Sequence, residues 1–210
     1  MPKLIVFDVD GVLLDTDTGG FKLLAEAIGK GQDMRRLHQE YEKRKHAGPW
    51  GLEQLAQLFA GVSEHTMIAQ SRAIVEKYLR PETTDVIKKL RERGHLIVAY
   101  SSNPLWILNV LREKYQLDDV CGNVLEVVNG IVTGKLLHKV DRYDKAKHLA
   151  DYMEKNGLAK QDVVVIGDSV TDLPMSQHGT FYAFNTKDDA VKNAAQAVVH
   201  PPLTNLLIYI

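Results

Sequence analysis

Cysteine is almost missing from this chain. Cys121 stands alone among 210 residues, so no intrachain disulfide can form and nothing points to an oxidising compartment. Long apolar runs are missing as well. The first, Leu4–Phe7, is far too short for the core of a secretion signal and is broken by Asp8. No later run approaches the ~20 residues of a membrane-spanning helix. Neither charge sign is in excess: 26 Lys and Arg stand against 27 Asp and Glu, a formal net charge of −1. That balance excludes a global field drawing the chain to nucleic acid or to an anionic membrane. The eight histidines lack a metal-binding spacing such as His-Glu-x-x-His, and there is no Asn-x-Ser/Thr acceptor. On these absences a cytoplasmic protein is expected.

What remains is an ordinary globular composition, 45% hydrophobic and 25% charged. The length suffices for one large domain, or one domain with a small insert, and for a core that needs no staples. There is no internal repeat. Short apolar runs alternate with helical patterns. Leu4–Phe7, Leu96–Tyr100 and Val163–Ile166 read as fully buried parallel strands, with Phe181–Phe184 and Ala197–Val199 as weaker examples. Between them, "RPETTDVIKKLRERGH" begins near Pro81 and stops at Gly94, and "DRYDKAKHLADYMEKNG" stops at Asn156-Gly157. In "NPLWILNVLREKYQL", Asn103 fits an N-cap and Pro104 the first helical position. Such alternation predicts an α/β protein with a parallel sheet covered on both faces.

Two segments break the pattern. "NVLEVVNGIVTGKLL" carries Asn129-Gly130 between apolar runs, a hairpin signal. Residues 18–79 contain no convincing strand, only four helical stretches. They are expected to form a small all-helical cap over the sheet's edge. The core would then comprise residues 1–17 and 80–210, with hinges near Asp15–Gly20 and Leu79–Pro81.

In open α/β sheets ligands bind beyond the carboxyl ends of the strands. Asp8 and Asp10 follow the first strand, and Ser101, Ser102 and Asn103 the second. Asp168 and, one helical turn on, Asp172 follow the third, and Lys145 lies in the helix before it. Taken singly, each has a plainer reading. Asp-Gly pairs end strands routinely, a serine there caps a helix, Asp172 suits a helix N-terminus, and a helical lysine is usually solvated. Ser102 also rivals Ser101, and Lys147 rivals Lys145. Brought together, the carboxylates would repel one another unless a hard divalent cation sat among their oxygens. Mg²⁺ suits one or two carboxylates plus phosphate oxygens, and a lysine with a hydroxyl suits the phosphate itself. Asp8, at the strand tip, is ionised at neutral pH and can attack phosphorus without an activating base. Asp10, in the turn, can give a proton to the leaving oxygen and later take one from water.

This ordered set resembles the haloacid dehalogenase superfamily of phosphohydrolases. "DVDGVLLD" matches its first motif, Ser101 the second, Lys145 the third and "GDSVTDLPM" the fourth. The resemblance implies a Rossmann-like core with an inserted helical cap, a Mg²⁺ cofactor and an aspartyl-phosphate intermediate. Asp8 would be nucleophile and metal ligand, and Asp10 general acid/base with its main-chain carbonyl on the metal. Ser101 would bind the phosphoryl group and Lys145 neutralise it. Asp168 would be a metal ligand, and Asp172 would support that site or bind through water. The layout is most similar to the phosphoserine phosphatase branch, which also has a small helical cap and a hairpin like "NGIVTGK" between the second and third motifs.

Three positions depart from that branch. Asp17 stands where a glutamate helps hold the substrate ammonium. "PWGLEQLAQLF" has no arginine for the carboxylate. Ser102 and Asn103 follow the second motif where glycines are usual. The expectation is therefore hydrolysis of a small phosphorylated metabolite whose identity stays open. The rivals are a phosphotransferase with the same intermediate and a catalytically silent binding protein on the same scaffold. The basic stretch "EKRKHAG" reads as a solvated helix face or as a concentrator of anionic substrate. Trp50 reads as cleft lining or cap core, and Cys121 as packing.

Overall fold

In β1 (Leu4–Phe7) all four side chains are completely buried, because successive residues of a strand face opposite layers and both layers are filled. The computed structural model describes residues 3–44, 51–141 and 144–210. Four helices follow β1: α1 (Gly20–Ala27), α2 (Gly31–Arg44), α3 (Leu52–Gln57) and α4 (Glu64–Tyr78). The chain continues through α5 (Thr83–Glu92), β2 (Leu96–Pro104), α6 (Leu105–Tyr115), β3 (Asp119–Val128) and β4 (Ile131–His138). It continues with α7 (Lys145–Asn156), β5 (Val163–Gly167), β6 (Thr180–Phe184), α8 (Asp189–Ala194) and β7 (Ala197–Val199), with a 3-10 segment, Val170–His178, between β5 and β6 and another, Leu203–Ile208, after β7.

The seven strands lie in the order β4-β3-β2-β1-β5-β6-β7. Only the β3–β4 pair is antiparallel, turning at Asn129-Gly130 as the sequence predicts. On one face Ile5, Phe7, Ile97 and Ile166 pack with Val86 and Leu90 of α5 and Ile107 and Leu111 of α6. On the other, Leu4, Val6, Val98 and Val165 meet Leu149 and Met153 of α7 and Met175. Register then sets the site. Phe7 is level with Ala99 and with Ile166, so β1, β2 and β5 deliver their following residues to one edge.

The helical stretch after β1 is tied down at two places. Where the chain leaves and re-enters, the Asp15 amide donates to Tyr78 O (2.7 Å) and the Arg80 amide to Leu13 O (3.0 Å). Near the hairpin, the Gly61 amide donates to Val132 O and the Glu64 amide to Gly130 O, both at 2.9 Å. Ser63 caps α4, its Oγ accepting from the Thr66 amide at 3.1 Å. Of the basic stretch 42–48, the helix is described as far as Arg44; Trp50 lies outside the described residues. Among the described residues no helix is long and apolar enough to cross a membrane.

One local expectation is corrected. β2 does not end at Tyr100 but runs to Pro104, which pairs with Asn123 of β3. Pro104 becomes the N-cap of α6 and Leu105 its first residue. Pairing with β3 is irregular after Tyr100 and resumes at Pro104, four residues on, and Asn103 is released from capping for other contacts.

His95, joining α5 to β2, is 7% exposed, and its Nδ1 accepts the Lys3 amide at 2.9 Å. Burial first, then the charges of Arg93 and Lys3, lower its pKa. A lowered folded-state pKa means that the unfolded chain binds the extra proton first. The stability from neutral His95 is therefore complete above the unfolded pKa of about 6.5 and is lost as pH falls from there through the lower folded-state pKa. Urea unfolding at descending pH should show wild type losing stability more steeply than His95→Gln, which keeps an acceptor but does not titrate. Parallel curves would remove His95 as the cause.

Candidate active site

The Asp8 amide still belongs to the sheet, donating to Ile166 O at 2.9 Å, which fixes the side chain at the strand tip. Its carboxylate is 6% exposed, and Oδ1 accepts from Lys145 Nζ at 3.0 Å. Lys145 is the first residue of α7 and is 2% exposed, whereas Lys147 is exposed. The same Nζ also donates to Asp172 Oδ1. Asp172 is wholly buried, and its Oδ2 accepts from the amides of Asp168 (3.1 Å) and Ser169 (3.2 Å). It thus closes the turn that presents Asp168. Oxygens of Asp8, Asp168 and Asp172 all lie within 4.8 Å of one another. Gly11 makes that approach possible. Its φ is +77°, and a Cβ there would meet Asp168 Oδ2 at 2.1 Å.

A second chain of contacts starts from β2. Ser101 is buried, and its Oγ accepts from the Asn103 amide at 3.2 Å. Asn103, also buried, donates from Nδ2 to Asp10 Oδ1 (3.1 Å) and accepts at Oδ1 from the Gly20 amide (2.7 Å). One side chain therefore joins the β1 turn to the start of α1. Ser102 is half-buried, its carbonyl taken by Asn123 Nδ2 at 2.6 Å.

The electrostatics are unbalanced. Burial, then the charge of Asp172, holds the Asp8 carboxyl well above the usual range, against the pull of Lys145. Burial pushes Asp10 up to about 7, opposed by the Asn103 hydrogen bond. Asp168 rises to about 6, by burial and then Asp172. Burial would lower the Lys145 pKa, but Asp8 and Asp172 together outweigh it and raise it. Asp8, Asp10, Asp168 and Asp172 thus face a single ammonium. An all-oxygen donor set with surplus negative charge fits a hard divalent cation such as Mg²⁺.

Every residue expected at the site from the sequence lies at this sheet edge, and the structure adds others. Arg80, 7% exposed, donates from Nε to Val12 O (2.9 Å) and from Nη2 to Gly11 O (3.0 Å), and pairs with Asp15 at 2.8 Å. It fixes the loop after β1, and nothing in the local sequence signals this. A cavity of about 450 Å³ adjoins Ser102 and Asn103, lined also by Asp17, Lys22 and His38. Lys22 and His38 sit in ordinary amphipathic helices and gave no signal.

A family model described as haloacid dehalogenase-like hydrolase matches residues 5–177. The chain is similar to phosphoserine phosphatase SerB2 of Mycobacterium tuberculosis, 30% identical over 207 residues, covering 98% of this chain and 49% of that protein. It is also similar to a phosphoserine phosphatase of Archaeoglobus fulgidus, 27% identical over 188 residues, covering 89% of this chain and 53% of the relative. The chain thus spans about half the length of these two curated relatives. A solved phospho-aspartyl intermediate analogue of phosphoserine phosphatase superposes with a TM-score of 0.80 at 23% identity, over 100% of this chain and 99% of the other, a likeness of fold. The matched span runs from β1 through the turn bearing Asp168 and Asp172 and takes in every residue of the cluster, so the chain belongs to the haloacid dehalogenase-like hydrolase family.

Proposed function

We propose that this chain is a Mg²⁺-dependent phosphatase that hydrolyses a small phosphate monoester through an aspartyl-phosphate on Asp8. The observation that carries the reading is the linkage Asp8–Lys145–Asp172, whose far end holds the Asp168 turn in place. Asp8, Asp168 and the Asp10 carbonyl would hold the ion, with Asp172 bracing Asp168. When bound, the ion supplies charge neutralisation at the phosphoryl oxygens. Asp8 attacks phosphorus while the bond to the leaving oxygen breaks, and Asp10, held by Asn103, protonates that oxygen. Water then attacks the acyl phosphate and gives its proton to Asp10, releasing inorganic phosphate and restoring Asp8. The Ser101 hydroxyl donates to the phosphoryl group, and Lys145 offsets its charge.

Residues 18–79 act as a cap over the core of residues 1–17 and 80–210, closing over substrate and excluding water. The bond from the Gly20 amide to Asn103 supports this reading. The relatives' name makes phosphoserine the first substrate to test. The adjoining cavity supports a zwitterionic leaving group: Asp17 would pair with an ammonium, and Lys22 with a carboxylate in place of the missing arginine.

The test is a screen of purified chain against metabolite phosphates, phosphoserine included, assaying free and transferred phosphate. Phosphate release that needs Mg²⁺ and stops with EDTA is expected. Transfer to an added alcohol or amino acid without release would make the chain a phosphotransferase. Ligand binding without turnover would make it a silent binding protein.

A further inference from the structure

Away from the carboxylates, three residues far apart in sequence converge: Cys121 on β3, His138 at the end of β4 and His148 on α7. Each offers one ligand atom, and the three atoms lie within 4.8 Å of one another. The imidazoles meet edge to face, ring centroids 4.9 Å apart. Among the described residues, no hydrogen bond engages any of the three side chains. They line one surface cleft, together with Asp151, one turn beyond His148.

A sulfur with two imidazole nitrogens is the wrong donor set for Mg²⁺ or Ca²⁺, which take oxygen, and the right one for Zn²⁺. At zinc bond lengths, tetrahedral ligand atoms stand about 3.3–3.6 Å apart. A tetrahedral site needs the three atoms drawn inside the 4.8 Å that bounds their present separation, and the exposed His138 side chain can turn to do so. A free reactive thiol is the poorer reading. Burial, then Asp119, pushes the Cys121 pKa up to about 12, away from the lowered range of a reactive cysteine.

We propose that Cys121, His138 and His148 form a binding site for one zinc-class ion that fastens the β3–β4 hairpin to α7. Binding displaces the Cys121 proton to solvent, one per ion, and leaves the fourth position to water or Asp151. Because Lys145 begins α7, the ion would also steady the helix that reaches into the carboxylate cluster.

The test titrates the metal-stripped 210-residue chain with Co²⁺ in excess Mg²⁺, which fills oxygen sites. One Co²⁺ per chain with a thiolate-to-cobalt charge-transfer band, displaced by Zn²⁺, is expected. Cys121→Ser should abolish the band. His138→Gln and His148→Gln should retain it while weakening affinity at least about tenfold. The histidine variants carry the test if Cys121→Ser does not fold. Absence of the band in wild type, or Co²⁺ affinity unmoved by the histidine changes, overturns the proposal.

Discussion

Replacing Asp8 with asparagine is expected to lower kcat by roughly 10⁴–10⁶-fold and to leave the fold standing. An amide oxygen is not a nucleophile toward phosphorus, so the first chemical step disappears rather than slows. The shape is unchanged, and the new side chain still accepts from Lys145 Nζ, now 3.0 Å from Asp8 Oδ1. Stability without metal should hold or rise, because burial and Asp172 both work against an ionised Asp8. Stabilisation by Mg²⁺ should shrink, since one ligand loses its charge. Circular dichroism, thermal melts with and without Mg²⁺, and turnover of an aryl phosphate check the three parts. Near wild-type turnover by a folded Asp8→Asn protein would remove Asp8 as nucleophile.

The second large effect is structural. Lys145→Met should destabilise the chain by about 3–5 kcal/mol, because it leaves buried carboxylates of Asp8 and Asp172 without their ammonium. For a domain of this size that is a fall in Tm of roughly 6–20 °C. Phosphatase activity should vanish with it. Lys147→Met, two residues along and exposed, should change stability by no more than about 0.5 kcal/mol. Calorimetry on the two variants decides the matter. Equal melting points would mean that the buried pairing carries no stability.

How far the sequence could be read depended on how local the signal was. Leu4–Phe7 and Ala197–Val199 are strands at the expected bounds, since a short apolar run buried on both faces marks itself. The Asn129-Gly130 turn and the stop at Gly157 are equally local. The four motifs were legible because each sits at one end of a strand or helix, and the matched family span covers all four. The end of β2 was not legible, because only pairing with β3 extends it past Tyr100. Arg80, 69 positions from the Gly11 carbonyl that it holds, had no local mark. Cys121, His138 and His148 likewise have no motif spacing; strand pairing and helix docking alone bring them together.

The placing of β1 has a consequence for biosynthesis. It is synthesised before both of its neighbours, yet it is hydrogen-bonded between β2 and β5, the latter beginning at Val163. Its apolar side chains therefore wait, half-sheltered at most, until Val163, 156 positions after Phe7, has been made. A nascent chain halted before Val163 would leave one flank of β1 open to wrong partners, which makes this segment the point where a chaperone has most to protect.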